Sequence, residues 1–469
     1  GVNIMPYIKS IQFKDHNIFN NSEININLSK TNDSNNHLTV IIGENGTGKS
    51  ELLKEIVELF RSNKSGSRGS QQKSLHVDLK PARVKSWPKK LIASSFSLND
   101  KFPFVNKDNK NEDKGFYKYL GIRTASNNAF TGKIRDELFT CMIKIFSNQN
   151  KLKKFINIIE TFDLPITYTF EFSYSRGLDD LFKRPNIKSS KEITNNIINN
   201  LILSRRFNLP ALERMQEDSS FETDVLTSIN KTFKEGKKTK IIKFDLDDVT
   251  KLRLPENATE MEFMLNSRLV SIKEFSPGGD VKFQHMSSGQ FHILKSVITI
   301  ISEVEDDSLI LIDEPEISLH PSWQMNYMSV LNDMISGFKN CHVFVATHSH
   351  LIVTTLPIKN SDVIISRKRK DNKEIYFESF EGTPSGWSSD MILYSAFGVI
   401  NKNNQSFDYD IDQVASFMSN WKYSKENLIK LQHSVRRLSQ YKLPDNDPLS
   451  VFILKSEDFL AKVIKDENL

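Results

Sequence analysis

Eight consecutive residues, Gly43-Glu44-Asn45-Gly46-Thr47-Gly48-Lys49-Ser50, follow the spacing G-x-x-x-x-G-K-S. That spacing suits one kind of chemistry. The glycines let backbone N–H groups curl around a phosphate, the lysine reaches the β- and γ-phosphates, and the serine hydroxyl reaches Mg²⁺. A helix starting there adds partial positive charge facing the anion. ATP with Mg²⁺ is the expected ligand pair, with Ser50 on the metal.

A second set of residues lies far downstream. Ser287-Ser288-Gly289-Gln290 is a Ser-Gly turn placed to open a helix, with N–H groups able to face an anion. Asp313-Glu314 closes the apolar run Ser308 to Ile312. Beside a phosphate loop, Asp313 is expected to position Mg²⁺ through its hydration shell, and Glu314 to polarise the attacking water. His348 follows the apolar run His342 to Ala346 and is placed to contact a γ-phosphate. Taken singly each of these has a bland reading: a solvated strand end, a loop histidine, a turn. Their order and their strand-end positions argue for a site. His348 and His350, with His342 nearby, do not have the spacing of a metal centre.

The elements that must position these groups can be read from periodicity. Leu38 to Ile42 predicts a buried strand, and Glu51 to Phe60 has apolar residues at helical spacing. Tyr7 to Leu28 alternates as two strands around Asn20-Asn21-Ser22, and Asn32 to Asn36 reads as a loop. Ser62 to Lys73 is a polar Gly/Ser segment that also predicts a loop. Leu91 to Ser97 reads as a strand, Phe130 to Phe162 as two helices, and Ile166 to Tyr174 and Ile241 to Leu246 as strands. Helices are expected over Asn195 to Leu203 and Phe221 to Phe233, and over Phe291 to Ile301. From Ser388 onward three apolar helical stripes follow, with Trp421 expected at the surface. The basic runs 234–240 and 366–370 read as solvated turns or, more sharply, as phosphate contacts.

Length and composition bound the rest. With 469 residues, 38% hydrophobic and 26% charged, the chain suits a globular protein of two or three structural units. The net charge of +5 is mildly basic and compatible with nucleic acid without pointing to it. Two distant cysteines, Cys141 and Cys341, give no disulfide framework and fit a reducing cytoplasmic setting. No apolar run approaches the ~20 residues that span a bilayer, so no membrane partner is expected. Gly1 to Met5 is not a signal peptide and reads as an altered terminus.

The order of the motifs resembles the ABC-type ATPases: Walker A at 43–50, signature at 286–290, Walker B at 309–314, switch histidine at His348. The resemblance implies head-to-tail pairing, with Ser287, Ser288, Gly289 and Gln290 of one subunit capping the nucleotide of another. The signature departs from L-S-G-G-Q at Met286 and Ser288, and no clear Q-loop glutamine appears; Ser97 to Asp100 occupies that segment. The wording Asp313-Glu314-Pro315-Glu316 followed by Leu319-His320-Pro321 resembles the RecF-like, SMC-like and overcoming-lysogenization-defect ATPases. A finer resemblance, to the PtuA-like ATPases of Septu and retron anti-phage defence, rests on Ile92 to Ser97 with Asp100 to Pro103, on Tyr117 to Arg123, and on Gly386 to Leu393 with Phe397 to Val399.

That resemblance implies a homo-oligomeric ATPase controlling a separate HNH nuclease of the PtuB kind. In a retron version it would also hold a reverse transcriptase and its DNA–RNA product. The alternatives are a DNA-repair or chromosome-maintenance ATPase and a non-hydrolysing nucleotide-sensing scaffold. The expected fold is α/β: an N-terminal ATPase lobe over 1–109, a helix-rich insertion over 110–250, a C-terminal ATPase lobe over 251–387, and a helical partner-binding unit over 388–469, with a mixed sheet at the centre.

Overall fold

The computed structural model describes residues 7–26, 36–65, 75–80, 88–103, 115–122, 130–174, 239–247, 253–266, 270–279, 285–357, 360–369, 371, 373–380, 392–393, 405–439 and 448–466. The helices expected at 195–203 and 221–233 lie outside them. So do most of the loop expected at 32–36 and of the 386–399 stretch.

Strand identity follows from runs of β-branched and aromatic residues that are buried on both faces. Four such strands are β3 (His37–Ile42), β5 (Lys90–Ser95), β10 (Ser308–Asp313) and β11 (His342–Thr347). They stand in one sheet with β6 (Tyr117–Tyr119), β12 (Ser361–Lys368) and β13 (Ile375–Ser379), in the order β13-β12-β3-β11-β10-β5-β6. All neighbours are parallel except the β12–β13 hairpin, so the sheet is mixed. Continuous apolar runs are what a parallel sheet covered on both sides requires.

Side chains alternate across the sheet, and each face has its own core. Leu91, Ala93, Leu309, Leu311, Phe344 and Ala346 pack on one side against helix α1 (Lys49–Ser65). The same core takes in part of an antiparallel sheet of β2 (Glu23–Asn25), β1 (Tyr7–Phe13) and β4 (Leu75–Lys80). Val40, Ile92, Ile310, Ile312, Val343 and Val345 face the other way. There they meet α2 (Phe130–Phe146), α3 (Gln149–Phe162), α4 (Ala258–Asn266), α5 (Ser288–Glu303) and α6 (Pro321–Ile335). A third sheet, β8-β7-β9, built from β7 (Thr167–Tyr174), β8 (Thr239–Asp245) and β9 (Val270–Pro277), joins this second core.

Four expectations need adjustment. Part of the segment expected as a loop from Ser62 continues α1 to Ser65, and β4 follows; its alternation of Leu75, Val77 and Leu79 is the signal that reveals it. The stretch 110–250 supplies β6 to the central sheet and pairs β7 with β9, which lies beyond residue 250, so its strands are shared with the flanking stretches. The described part of the basic run, 366–369, is the end of β12 and its exit: Ser366 is buried, and Arg367 pairs with Glu378 across the hairpin at 3.2 Å. Trp421 is partly buried, edge-on to Phe417 and Phe459.

Those two rings belong to a separate core made by α7 (Gln405–Ser419), α8 (Lys425–Leu438) and α9 (Pro448–Asp466). Inside it Asp410 is buried and gripped by both Arg437 and Ser434. Arg436 on α8 pairs with Glu378 on β13, a link between this helical unit and the central sheet. Among the described residues no helix is long and apolar enough to cross a membrane.

Candidate functional site at the strand ends

The parallel strands β3, β11 and β10 are adjacent, so whatever follows each strand is delivered to one rim of the sheet. β3 delivers Gly43–Ser50, β11 delivers His348, and β10 ends in Asp313 and Glu314. In open α/β sheets this carboxyl rim is where ligands bind.

The phosphate loop joins β3 to α1, which begins at Lys49. Gly43 sits so close to β12 that an added Cβ would lie 2.2 Å from the Ser366 carbonyl oxygen, which leaves glycine as the residue that fits. Ser366 also donates its hydroxyl to the Thr47 carbonyl at 2.6 Å, and Thr47 donates its own to the Glu44 carbonyl at 2.9 Å. The loop is thus braced from outside and inside. Ser366 has no motif spacing, and only the pairing of β12 beside β3 brings it here.

Lys49 is 4% exposed. Its ammonium donates to the Gly43 and Glu44 carbonyls, each at 2.8 Å, and lies 3.1 Å from Nδ1 of His348. Burial pulls its pKa down to about 8, against the opposing charges of Glu316, Asp313, Glu314 and Glu44. Ser50 donates to Oδ1 of Asp313 at 3.0 Å. Asp313 is 2% exposed, and burial pushes its carboxyl up to about 7, with Glu314, Asp100 and Glu316 adding to the rise. A hydroxyl and a buried carboxylate in mutual contact form a hard-oxygen donor pair. This suits Mg²⁺, which takes one or two protein oxygens and completes its shell with water and phosphate. Among the described residues no group of three or more His, Cys, Asp and Glu forms an all-protein metal cage.

Glu314 has a φ of 51°, a left-handed conformation unusual for this residue type. Its N–H donates to the Ala346 carbonyl at 2.9 Å, which ties the end of β10 to β11. The carboxylate meets Nε2 of His348 at 3.2 Å. That hydrogen bond is the main cause that holds its pKa below the usual carboxylate range; Ser97 and Lys49 act in the same direction. Nδ1 of the ring faces both the Lys49 ammonium and the Gly43 carbonyl, each at 3.1 Å, while Nε2 faces Glu314. The ring therefore lies between the Lys49 ammonium and the Glu314 carboxylate and touches both.

Ser287, Ser288, Gly289 and Gln290 open α5. Ser287 is its N-cap: its hydroxyl accepts from the Gln290 N–H, and the Gln290 side chain accepts from the Ser287 N–H, a capping box. Ser287, Ser288 and Gln290 face outward, whereas Gly289 is buried. A Cβ on Gly289 would lie 2.5 Å from the Ser318 carbonyl of the same chain, so this glycine serves close packing within its own subunit. Three residues outside the sequence expectations join the site. Ser366 braces the loop, Asp100 is a buried carboxylate near Asp313, and Glu316 accepts from the backbone N–H of His348 at 2.6 Å. Neither Asp100 nor Glu316 has a motif spacing that points to these contacts, which the tertiary fold creates.

Residues 144–354 match the family model described as "AAA domain, putative AbiEii toxin, Type IV TA system". That match holds the signature turn, Asp313-Glu314 and His348, and begins downstream of the phosphate loop. The chain is 21% identical to protein ea59 of Escherichia phage lambda over 326 residues, 68% of this chain and 47% of that protein. It is 27% identical to the Retron Ec83 probable ATPase of Escherichia coli over 159 residues, 34% of this chain and 27% of that one. It thus spans less than half the length of either relative. Among solved structures it is similar to an Smc head bound to the C-winged helix domain of ScpA, with a TM-score of 0.30, 15% identity and coverage of 80% of this chain and 98% of that one. A Pyrococcus furiosus Smc head with an extended coiled coil aligns with a TM-score of 0.34 and 12% identity, over 80% of this chain and 96% of that one. The phosphate loop between β3 and α1, the acidic end of β10 and the match over 144–354 lead to one conclusion: the chain carries a P-loop ATPase fold.

Proposed function

We propose that the chain binds ATP with Mg²⁺ and hydrolyses it, and that nucleotide state governs a partner in a defence complex. Lys49 and the N–H groups of 43–50 hold the β- and γ-phosphates, while Ser50 and Asp313 hold the metal. When bound, the metal would neutralise negative charge on the phosphates. Glu314 polarises the attacking water, and His348 orients Glu314 while lying beside Lys49. The observation that carries this reading is the contact chain Lys49–His348–Glu314 at one sheet rim. Ser287, Ser288, Gly289 and Gln290 cap the nucleotide of a second subunit in a head-to-tail pair.

Support for the defence setting comes from the likeness to the retron ATPase and from the AbiEii-type family match. On this reading the partner is a separate HNH nuclease, with reverse transcriptase and DNA–RNA added in a retron version. Its docking surface is the unit of α7, α8 and α9, which has its own core and is linked to the sheet through Arg436 and Glu378. The test is co-purification of the chain with an HNH nuclease subunit, with and without ATP. Wild-type and Glu314→Gln protein should retain the nuclease with ATP; equal recovery by Lys49→Ala protein under all conditions would contradict nucleotide control.

A further inference from the structure

We infer that Glu316 is a positioning residue that holds His348 between Lys49 and Glu314 and ties it to the signature helix α5. The inference rests on the ATPase reading above and deepens it. Glu316 lies two residues beyond Glu314, in the tight loop 314–319, where the Leu319 N–H donates to the Glu316 carbonyl at 3.0 Å and Ser318 has a φ of 62°. Its side chain points back across the sheet rim, and Oε1 accepts the His348 N–H at 2.6 Å. The Thr347 hydroxyl and the residue's own N–H also face this carboxylate. Neutral acceptors could satisfy such donors, so a buried carboxylate here calls for a reason beyond packing. Burial raises its pKa, and it is the first of the anions that support the buried Lys49 ammonium.

The opposite side of the loop is fixed to α5. Nδ1 of His292 donates to the Ile317 carbonyl at 3.0 Å, with the ring stacked on Phe96 at 4.4 Å, and Gly289 packs directly on Ser318. One six-residue loop therefore touches the signature helix through residues 317 and 318 and the switch histidine through Glu316. A displacement of α5 as it engages a neighbouring subunit would pass through Glu316 to the ring that orients Glu314.

The test uses the full chain with Glu316→Ala, Glu316→Gln, His348→Ala and the Glu316→Ala/His348→Ala double variant. Glu316→Ala should lower kcat by about 10–100-fold, as a misplaced orienting group does, with ATP affinity within about threefold of wild type. Glu316→Gln keeps an acceptor oxygen and should recover most of that loss. The double variant should be no slower than His348→Ala alone, because Glu316 acts through the histidine. Modification of His348 by diethyl pyrocarbonate, read by peptide mass spectrometry, should run several-fold faster in Glu316→Ala and unchanged in Glu316→Gln. Multiplying kinetic effects, no rescue by Gln, or an unchanged modification rate would overturn the assignment. If wild-type protein does not hydrolyse ATP, the ATPase reading fails while the modification rates still decide the role of Glu316.

Discussion

At the scale of single residues the site is a problem in placing charge. Lys49, Asp313, Glu314 and Glu316 are crowded at one strand rim, and His348 separates the cation from Glu314 while touching both. Removing the ammonium with Lys49→Ala should weaken ATP binding at least about 100-fold, since charge-assisted hydrogen bonds contribute about 1.5–3 kcal/mol each. Isothermal titration checks this, and unchanged affinity would move the nucleotide elsewhere. Glu314→Gln should leave ATP affinity near wild type and cut turnover by about 10²–10⁴, the range for loss of a positioned general base. The groups named by motif spacing were legible in the sequence because their chemistry demands fixed residue types at fixed separations. Glu316 and Ser366 were not, since what they do depends on which loop the fold lays beside them.

At the scale of elements, legibility followed burial. Strands β3, β10 and β11 are apolar throughout because both faces are covered, and such runs stand out. Strand β4 begins just beyond the polar stretch Ser62 to Lys73 and is too short to stand out beside it, and β12 is masked by its basic C-terminal end. Within this sheet lies a titratable pair: His37 on β3 and His342 on β11, both buried, with ring centroids 5.1 Å apart. Burial lowers the His37 pKa to about 4. The unfolded chain, with an ordinary imidazole near 6.5, then takes up protons first, so the stability contribution is present above pH ~6.5 and is lost as pH falls toward 4. Asp313 works the other way, its raised pKa favouring the folded state as pH drops below about 7. Comparing His37→Phe with wild type in urea unfolding isolates the histidine. Wild type should lose on the order of 2–3 kcal/mol more than the variant between pH 7 and pH 4. Parallel pH profiles would show that His37 does not titrate with folding.

At the scale of the whole molecule, the expected α/β plan with a mixed sheet holds, and the three C-terminal stripes form a helical unit closed around its own core. Trp421 contributes to that core, so a docking surface on this unit must use outward residues. Lys425 and Lys430 both face outward, and Lys430 pairs with Glu426 at 2.6 Å. Charge reversal at both should leave the thermal midpoint within a few degrees of wild type, because exposed ion pairs are screened by solvent and contribute little. It should weaken recovery of an HNH partner, and unchanged recovery would shift the interface away from α8. Head-to-tail pairing is tested best at Ser288, which is exposed at the start of α5, since Gly289 is packed against its own chain. Ser288→Asp suits a helix N-terminus in the free subunit, and in a head-to-tail pair it would place a carboxylate against the neighbour's γ-phosphate. Mixed with Lys49→Ala subunits, it should regain ATPase activity from the one composite site left intact. No recovery despite demonstrated subunit exchange would contradict capping in trans.

The central claim is that the rim formed by β3, β10 and β11 binds and hydrolyses ATP. Single-turnover hydrolysis of radiolabelled ATP with Mg²⁺, following bound nucleotide and released phosphate together, tests it most directly. Wild type should bind and release phosphate, Glu314→Gln should hold ATP without releasing phosphate at a comparable rate, and Lys49→Ala should do neither. Phosphate release by Glu314→Gln at the wild-type rate, or tight nucleotide retention by Lys49→Ala, would contradict it.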